Sequence, residues 1–188
     1  MRLFTAVDIG QHARDAIAVE QRRVMQTVDG WERSLRLVRA ENVHLTLVFI
    51  GEVSDDRVTP FVETMRSDIP LEPFAMAFAG LGVFPPHGAP RVLWLGVAEG
   101  AAQATALHAV VADRLAALGI KKEARPFRAH LTLARWRDGR RSDRPRLEQT
   151  PRLIARTEVK AATLYQSRLS PAGPTYTALA QAELKRST

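Results

Sequence analysis

The tetrapeptide His-Leu-Thr-Leu occurs twice in this chain, at residues 44–47 and 130–133. Successive side chains on a β-strand alternate between its two faces, so each copy would bury its two Leu and present its His and Thr on the other face. His44 with Thr46, and His130 with Thr132, would then form two matched pairs on one surface. Paired imidazoles and hydroxyls are suited to acid and base catalysis.

The reaction that best suits two such pairs is hydrolysis or transesterification at phosphorus. An imidazole titrates near pH 6.5, so a neutral His can accept a proton while a charged one donates a proton. The nucleophile loses a proton on one side of the phosphorus and the leaving oxygen gains one on the other, so we expect His44 and His130 to flank a phosphate. The hydroxyls of Thr46 and Thr132 would donate hydrogen bonds to its non-bridging oxygens, and a nearby Arg would offset the developing charge.

Other kinds of site fit the sequence less well. Two His supply only half of a zinc shell, and the sequence contains no His-x-His, no His-Glu-x-x-His and no Cys, so we expect no metal. There is no Gly-rich loop ending in Gly-Lys-Ser/Thr, which argues against a P-loop nucleotide site. The absence of Cys also excludes disulfides and a thiol nucleophile. We expect no cofactor.

Composition narrows the class of protein and of partner. The chain has 188 residues, 46% of them hydrophobic, and a formal net charge of +7 that comes almost entirely from Arg. This excess indicates either an anionic partner, because Arg binds phosphate bidentately, or a GC-rich genome, which raises Arg and Ala together. The apolar N-terminal stretch ends at Ile9, which is too short for a signal peptide, and no run approaches the ~18 apolar residues of a membrane span. We expect a cytoplasmic protein with no membrane contact.

The elements that must position the two motifs follow a plan that is repeated along the chain. Each half contains a buried strand, an amphipathic helix, a His-Leu-Thr-Leu strand and a Pro/Gly hairpin. Helices are predicted at 11–28, 58–67 and 101–118. Strands are predicted at 3–9, 43–50, 74–84, 91–97, 130–133, 161–169 and 175–184, while 153–159 is ambiguous. Residues 31–38 are expected to bring the chain back toward the first motif. The repeat of about half the chain predicts one domain, 1–188, made of two pseudo-symmetric lobes.

The paired motifs resemble those of the two-histidine (2H) phosphoesterase superfamily, whose signature is two copies of His-x-Thr/Ser-x. More narrowly, the whole chain is similar to the bacterial and archaeal RNA 2′,3′-cyclic phosphodiesterases, also called 2′-5′ RNA ligases of the LigT/ThpR type. The segments that carry the resemblance are Met1 to Phe4, Val38 to Leu47, Gly82 to Pro85, Pro126 to Arg135, Gln166 to Pro171 and Gly173 to Tyr176.

This resemblance implies an α+β fold of two lobes related by a pseudo-two-fold axis, with antiparallel sheets lining a central cleft and helices outside. It also implies an RNA 2′,3′-cyclic 3′-phosphodiesterase, which hydrolyses RNA or nucleoside 2′,3′-cyclic phosphates to 2′-phosphates without a metal. His44 would donate a proton to the leaving 3′ oxygen, and His130 would accept one from water. The near-symmetry of the motifs leaves this order undetermined by the residues alone. Thr46, Thr132 and Arg135 would bind the phosphate.

Three details of the site stay open at this point. Arg135 follows His130 by five positions, an odd offset that places it on the opposite strand face unless a bend or bulge intervenes. Its alternative role is to begin a mobile basic loop, 135–146, which contains six Arg. Relatives often carry Trp where this chain has Leu37, so base stacking is expected to be weaker. Phe4 and Phe49 are possible stacking partners, although we expect both in the core.

Two functions of different classes therefore remain. The first is a cyclic phosphodiesterase that acts on RNA ends or small cyclic nucleotides. The second is a 2′-5′ RNA ligase or RNA-binding module, in which the basic loop 135–146 binds tRNA fragments. We expect a monomer in both cases.

Overall fold

The computed structural model describes residues 1–27, 34–147, 150–171 and 173–186. Within them, the α-helices are α1 (Gln11–Met25), α2 (Val58–Thr64) and α3 (Ala101–Ala116). The strands are β1 (Arg2–Asp8), β2 (Leu35–Leu37), β3 (His44–Glu52), β4 (Phe74–Phe84), β5 (Val92–Glu99), β6 (His130–Trp136), β7 (Leu153–Val159), β8 (Ala161–Ser170) and β9 (Gly173–Glu183).

All of these strands belong to one nine-stranded sheet, in which they pair antiparallel. Their order is β7-β4-β5-β6-β3-β1-β8-β9, and the short β2 adds to β6. The two strands that begin with the His-Leu-Thr-Leu motifs, β3 and β6, are therefore neighbours in the middle of the sheet. The predicted α+β class with antiparallel strands is confirmed. The boundaries of a domain covering 1–188 stay a prediction.

The central strands pair with their outer neighbours in the same way. Strand β3 pairs with β1, and β6 pairs with β5, and the partners correspond position by position. On the β1 side, Asp8, Ala6 and Phe4 pair with His44, Thr46 and Phe49 of β3. On the β5 side, Gly96, Trp94 and Val92 pair with His130, Thr132 and Arg135 at the corresponding positions of β6. The duplicated sequence plan thus gives a duplicated register around the motifs.

Each long helix packs on strands from the other half of the chain. Helix α1 contacts β7, and α3 contacts β3. Their apolar stripes are fully buried, with Ile17 and Val24 on α1 and Leu107 and Val111 on α3, as an amphipathic helix requires. The two halves are therefore interlocked by their helices. Of the described helices, none combines the length and apolar character needed to cross a membrane.

Several element boundaries differ from the predictions. Helix α1 ends at Met25 rather than at residue 28, which lies outside the described residues, as do residues 31–33 of the returning segment 31–38. Helix α2 ends at Thr64, and the ambiguous segment 153–159 is strand β7. The predicted loop at 135–146 begins later, because β6 continues to Trp136, which is buried. Within that loop, the guanidinium of Arg144 donates to the carbonyls of Pro85 and Gly88, at 2.8 and 3.2 Å.

Candidate active site

His44, at the start of β3, is held by a backbone carbonyl. Its Nδ1 lies 2.8 Å from the carbonyl oxygen of Asn42. Because a carbonyl can only accept, Nδ1 carries the hydrogen and donates it. This leaves Nε2 as the nitrogen that gains or loses a proton, and Nε2 lies 3.0 Å from Oγ1 of Thr46.

His130 has the same anchoring at the start of β6. Its Nδ1 lies 2.6 Å from the carbonyl oxygen of Arg128, two residues earlier. The same argument fixes Nδ1 as the donor, so that Nε2 is again the nitrogen that exchanges protons. Each His-x-Thr pair therefore presents one imidazole in a defined orientation, with the tautomer set by the backbone.

Strands β3 and β6 meet at Leu45 and Leu131, which are directly opposite each other and fully buried. The His and Thr side chains that flank these Leu must point to the other face. The antiparallel register sets each motif's His across from the other motif's Thr. His44 and His130 are then diagonal neighbours, whose Cα atoms are roughly 7–8 Å apart in such a pair. The sheet thus brings the four predicted polar side chains to one surface.

A β-bulge in β6 places Arg135 on this same surface. Relative to β5, one extra residue, Leu133, is inserted between Thr132 and Ala134, and an inserted residue reverses the alternation of the faces. Ala134 is consequently buried and Arg135 exposed. The positive charge of Arg135 lowers the pKa of His44, so the guanidinium faces the His44 side of the cleft. The odd offset from His130 is resolved by the bulge.

A second, equivalent β-bulge lies in β3 and exposes Phe49. Here the inserted residue is Leu47, and Phe49 is 60% exposed, with its ring centroid 6.4 Å from that of Phe4. The prediction that Phe49 lies in the core is wrong, whereas Phe4 is only 4% exposed, as predicted. Phe49 and Arg135 are equivalent positions, each five residues after a motif His. That shared offset is the sequence signal that pairs them.

The two imidazoles lie against different aromatic walls. The ring of His44 is 5.0 Å from Phe4 and 5.3 Å from Tyr176, between centroids. The ring of His130 is 5.4 Å from Phe84 and 6.3 Å from Trp94. The Trp94 indole in turn covers a glycine of β4, Gly82, where an added Cβ would lie only 2.0 Å from the ring. The cleft is therefore aromatic on both sides but not symmetric.

An acidic residue that no sequence motif indicated lies opposite His44 on the neighbouring strand. This residue, Asp8, is the β1 partner of His44. Its carboxylate accepts hydrogen bonds from Oγ1 of Thr163, at 2.9 Å, and from the hydroxyl of Tyr165. Burial raises the pKa of Tyr165, and the adjacent Asp8 charge raises it further. The Tyr165 hydroxyl therefore stays protonated and serves as a donor.

Burial dominates the electrostatics of His44. It lowers the pKa of the imidazole, while the hydrogen bond to Asn42 and the charge of Asp8 raise it, and Arg135 lowers it again, leaving a pKa below the ordinary value. A cavity of about 300 Å³ opens beside this imidazole. Its lining includes Asp8, Arg14, Arg39, Tyr165 and Tyr176. Cationic, acidic and aromatic groups thus converge on the His44 side of the cleft.

Metal-ligating residues do not gather here. Among the residues that the structure describes, no group of three or more His, Asp or Glu side chains is arranged to hold a metal ion. The two motif His are held by carbonyls through Nδ1. Metal-independent catalysis stays a prediction.

Comparisons with known proteins show the family to which this chain belongs. A family model described as "2'-5' RNA ligase superfamily" matches residues 14–170. A protein of Archaeoglobus fulgidus named RNA 2′,3′-cyclic phosphodiesterase is 34% identical over 181 residues, which are 94% of this chain and 96% of that protein. One of the same name from Thermus thermophilus is 34% identical over 193 residues, covering 98% and 91%.

Solved structures of similar proteins share the whole fold. TT0787 of Thermus thermophilus matches with a TM-score of 0.78 and 28% identity over all of both chains. E. coli LigT, solved in complex with 3′-AMP, matches with a TM-score of 0.75 and 27% identity over 98% of each chain. The resemblance inferred from the motifs is confirmed. With the family model covering most of its length, the chain belongs to the 2′-5′ RNA ligase superfamily.

Proposed function

We propose that this protein hydrolyses RNA or nucleoside 2′,3′-cyclic phosphates to 2′-phosphates, by acid and base catalysis that needs no metal. The observation that carries the proposal is the pairing of Leu45 with Leu131, which sets two imidazoles on one surface with Nδ1 of each bound to a carbonyl. The relatives named RNA 2′,3′-cyclic phosphodiesterase support the substrate class.

In this mechanism Nε2 of neutral His130 accepts a proton from water, whose oxygen attacks phosphorus. The bond from phosphorus to the 3′ oxygen breaks, and Nε2 of charged His44 donates its proton to that oxygen. The product is a 2′-phosphate with a 3′-hydroxyl, and exchange of protons with solvent restores both His. The hydroxyls of Thr46 and Thr132 and the guanidinium of Arg135 bind the non-bridging oxygens, whose charge rises in the transition state. Each proton transfer contributes ~10²–10⁴-fold.

The proposed mechanism also implies a place for the ribose. The water and the leaving 3′ oxygen lie on opposite sides of the phosphorus, and the 3′ oxygen stays attached to the sugar. The nucleoside therefore lies on the side of the proton donor. The cavity of about 300 Å³ is beside His44, which supports His44 as the donor. Tyr176 on its wall offers an aromatic face, and Arg39 offers a cation.

Ligation is the second candidate function, because the matching family model carries the name of a 2′-5′ RNA ligase. In ligation, a 5′-hydroxyl would take the place of water beside His130, and its oxygen would attack phosphorus to form a 2′-5′ phosphodiester as the bond to the 3′ oxygen breaks. The proton transfers would be the same as in hydrolysis, with His130 accepting the proton of the 5′-hydroxyl and His44 donating one to the 3′ oxygen. Hydrolysis is favoured in dilute solution because water is in great excess over any 5′-hydroxyl.

The test is incubation with a nucleoside 2′,3′-cyclic phosphate in excess EDTA, with the product assigned by phosphorus NMR. We expect a 2′-phosphate, and a loss of at least about 10²-fold in rate for both His44→Ala and His130→Ala. The exposed His12 on α1 provides the matched control, since His12→Ala should retain full activity. Inhibition by EDTA would contradict metal independence, and RNA binding without turnover would favour a binding module.

A further inference from the structure

The strand register places different residues opposite the two His. Asp8 of β1 pairs with His44, and the equivalent partner of His130 in β5 is Gly96. An added Cβ at Gly96 would lie 3.0 Å from the carbonyl oxygen of Ala79 and 3.3 Å from that of Gly80. The backbone of β4 therefore leaves little room for a side chain at this position. The asymmetry between the two His is built into the packing of the sheet.

The Asp8 carboxylate is held in place beside His44 by two hydroxyl groups. Thr163 and Tyr165 each donate a hydroxyl hydrogen bond to it. Nδ1 of His44 is already occupied by the carbonyl of Asn42. Asp8 consequently acts on the imidazole through space, by stabilising its positive charge, rather than by a direct hydrogen bond.

We propose that Asp8 is the positioning residue that makes His44 the proton donor, because its fixed negative charge stabilises the charged imidazole, whereas Gly96 gives His130 no such partner. The inference rests on the proposed phosphodiesterase chemistry. It supplies the distinction that two identical tetrapeptides lack, and it requires no direct contact between Asp8 and the substrate.

Other charged groups act on His44 as well. Burial and Arg135 lower its pKa, whereas Asp8 raises it. The titratable and charged groups that face this imidazole or line the adjoining cavity are Asp8 on β1, Arg14 on α1, Arg39 and Glu41 before β3, His130 and Arg135 on β6, Tyr165 on β8 and Tyr176 on β9. Of these, Asp8 is the acid whose charge raises the pKa of His44. Its removal leaves burial and Arg135 opposed only by the Asn42 hydrogen bond.

The experiment is an NMR titration of both His in the full chain and in Asp8→Asn. The pKa of His44 should fall by about half a unit or more in the variant, and that of His130 should move less. This readout does not depend on turnover, so it tests the inference even if the proposed function fails. Equal shifts of both His, or an unchanged His44, would overturn it.

The pH dependence of kcat/KM identifies the role of His44 in the reaction. If His44 is the donor, the charged form limits the rate on the alkaline side of the optimum. Asp8→Asn then lowers kcat/KM there by about threefold per half unit of pKa, and leaves the acid side unchanged. A gain on the acid side with no loss on the alkaline side would make His44 the acceptor and overturn the proposal.

Two further variants distinguish the loss of the Asp8 charge from a folding defect and from a general loss of acidic charge. Asp8→Ser also removes the charge but retains a small hydrogen-bonding group, and it should lower the pKa of His44 in the same way. Glu41→Gln removes an acid from the lining of the same cavity, where Glu41 is exposed and 3.8 Å from Arg39. This matched control should leave both titrations unchanged, and an equal effect of Glu41→Gln would overturn a specific role for Asp8.

Discussion

Gln21 of α1 donates a hydrogen bond from its Nε2 to the carbonyl oxygen of Leu133, at 2.8 Å. Leu133 is the inserted residue of the β6 bulge, and the same amide also donates to the carbonyl of Val38, at 2.9 Å. A buried polar side chain therefore holds the strand at the point where its faces are reversed. Because that reversal exposes Arg135, the helix contributes to the position of the guanidinium.

The other half of the molecule has a reciprocal contact. His108 of α3 lies with its Nδ1 2.9 Å from the carbonyl oxygen of Leu47, the inserted residue of the β3 bulge. The imidazole of His108 is stacked on Phe127, with 4.2 Å between ring centroids. Each helix thus holds the bulge of the other half, and His108 is half-buried.

Replacing Gln21 should therefore affect both stability and substrate binding. We expect Gln21→Ala to lower the free energy of unfolding by about 1–3 kcal/mol, because the buried carbonyl of Leu133 and the partly buried carbonyl of Val38 lose a donor. The variant should also raise KM, because Arg135 loses its support. Urea unfolding and steady-state kinetics measure the two effects. Gln11→Ala on the exposed start of α1 is the control. Additive effects of Gln21→Ala and Arg135→Ala on kcat/KM would contradict this coupling.

Arg135 should be required for phosphate binding as a cation with the geometry of guanidinium. We expect Arg135→Ala to lower kcat/KM by about 10- to 100-fold, since a charge-assisted donor to the transition state is lost. Arg135→Lys should recover only part of this loss, because an ammonium cannot bind two oxygens in the same plane. Arg141→Ala in the adjoining basic segment serves as the control. An equal loss in that variant would indicate general electrostatic attraction instead.

Phe49 should contribute to binding of the base rather than to stability. Stacking on an aromatic side chain is worth about 1–3 kcal/mol per base, so Phe49→Ala should raise KM for a nucleoside 2′,3′-cyclic phosphate by about 5- to 150-fold. Because the ring is 60% exposed, the free energy of unfolding should change little. Val19→Ala, at a 58% exposed position on α1, is the control.

The substrate provides a further control for Phe49. Ribose 2′,3′-cyclic phosphate without a base should be hydrolysed equally well by the wild-type protein and by Phe49→Ala. A similar defect on both substrates would show that Phe49 acts through the strand and not through the base.

The rate should follow a bell-shaped dependence on pH. His44 must be charged and His130 neutral at the same time, so kcat/KM should fall tenfold per unit at either extreme. Burial keeps the pKa of His44 below its ordinary value, so NMR titration of the protein without substrate should give a value below 6.5. A constant rate between pH 5 and 8 would rule out the acid and base pair.

The ion pairs of Glu20 should make the free energy of unfolding decrease at acid pH. Its side chain is 3% exposed, and its carboxylate is paired with Arg23 at 2.7 Å and Arg152 at 2.5 Å. Burial raises the pKa of Glu20, but the two Arg outweigh it, and the pKa lies below the ordinary value. The stabilisation is therefore present above about pH 4.5 and is lost as pH falls through the pKa of the folded state.

We accordingly expect Glu20→Gln to lower the free energy of unfolding at pH 7 by about 1–3 kcal/mol, with a difference that shrinks toward pH 3. Urea unfolding at both pH values measures it. Glu158→Gln breaks an ion pair between two exposed side chains, Glu158 and Lys160, and should change stability by less than about 1 kcal/mol. A Glu20→Gln effect that is the same at both pH values would exclude the ion pairs as its cause.

The sequence by itself determined what depends on neighbours along the chain. Alternation on a strand orients His44 and Thr46 away from Leu45, and the same holds for the second tetrapeptide, so the paired motifs and the α+β class were predictable. Apolar periodicity located α1 and α3 to within a few residues. The repeated tetrapeptide also indicated the family, and the family model and the structural neighbours confirm that resemblance.

Only the tertiary structure decided which side chains share the cleft with those motifs. A bulge is defined by the partner strand, because a residue is extra only relative to a neighbour, and so the faces of Phe49 and Arg135 were not fixed by local alternation. Asp8 likewise acquires its role from Thr163 and Tyr165, which lie more than 150 positions away along the chain. The two halves become chemically different through these long-range contacts, whose pairing no local pattern encodes.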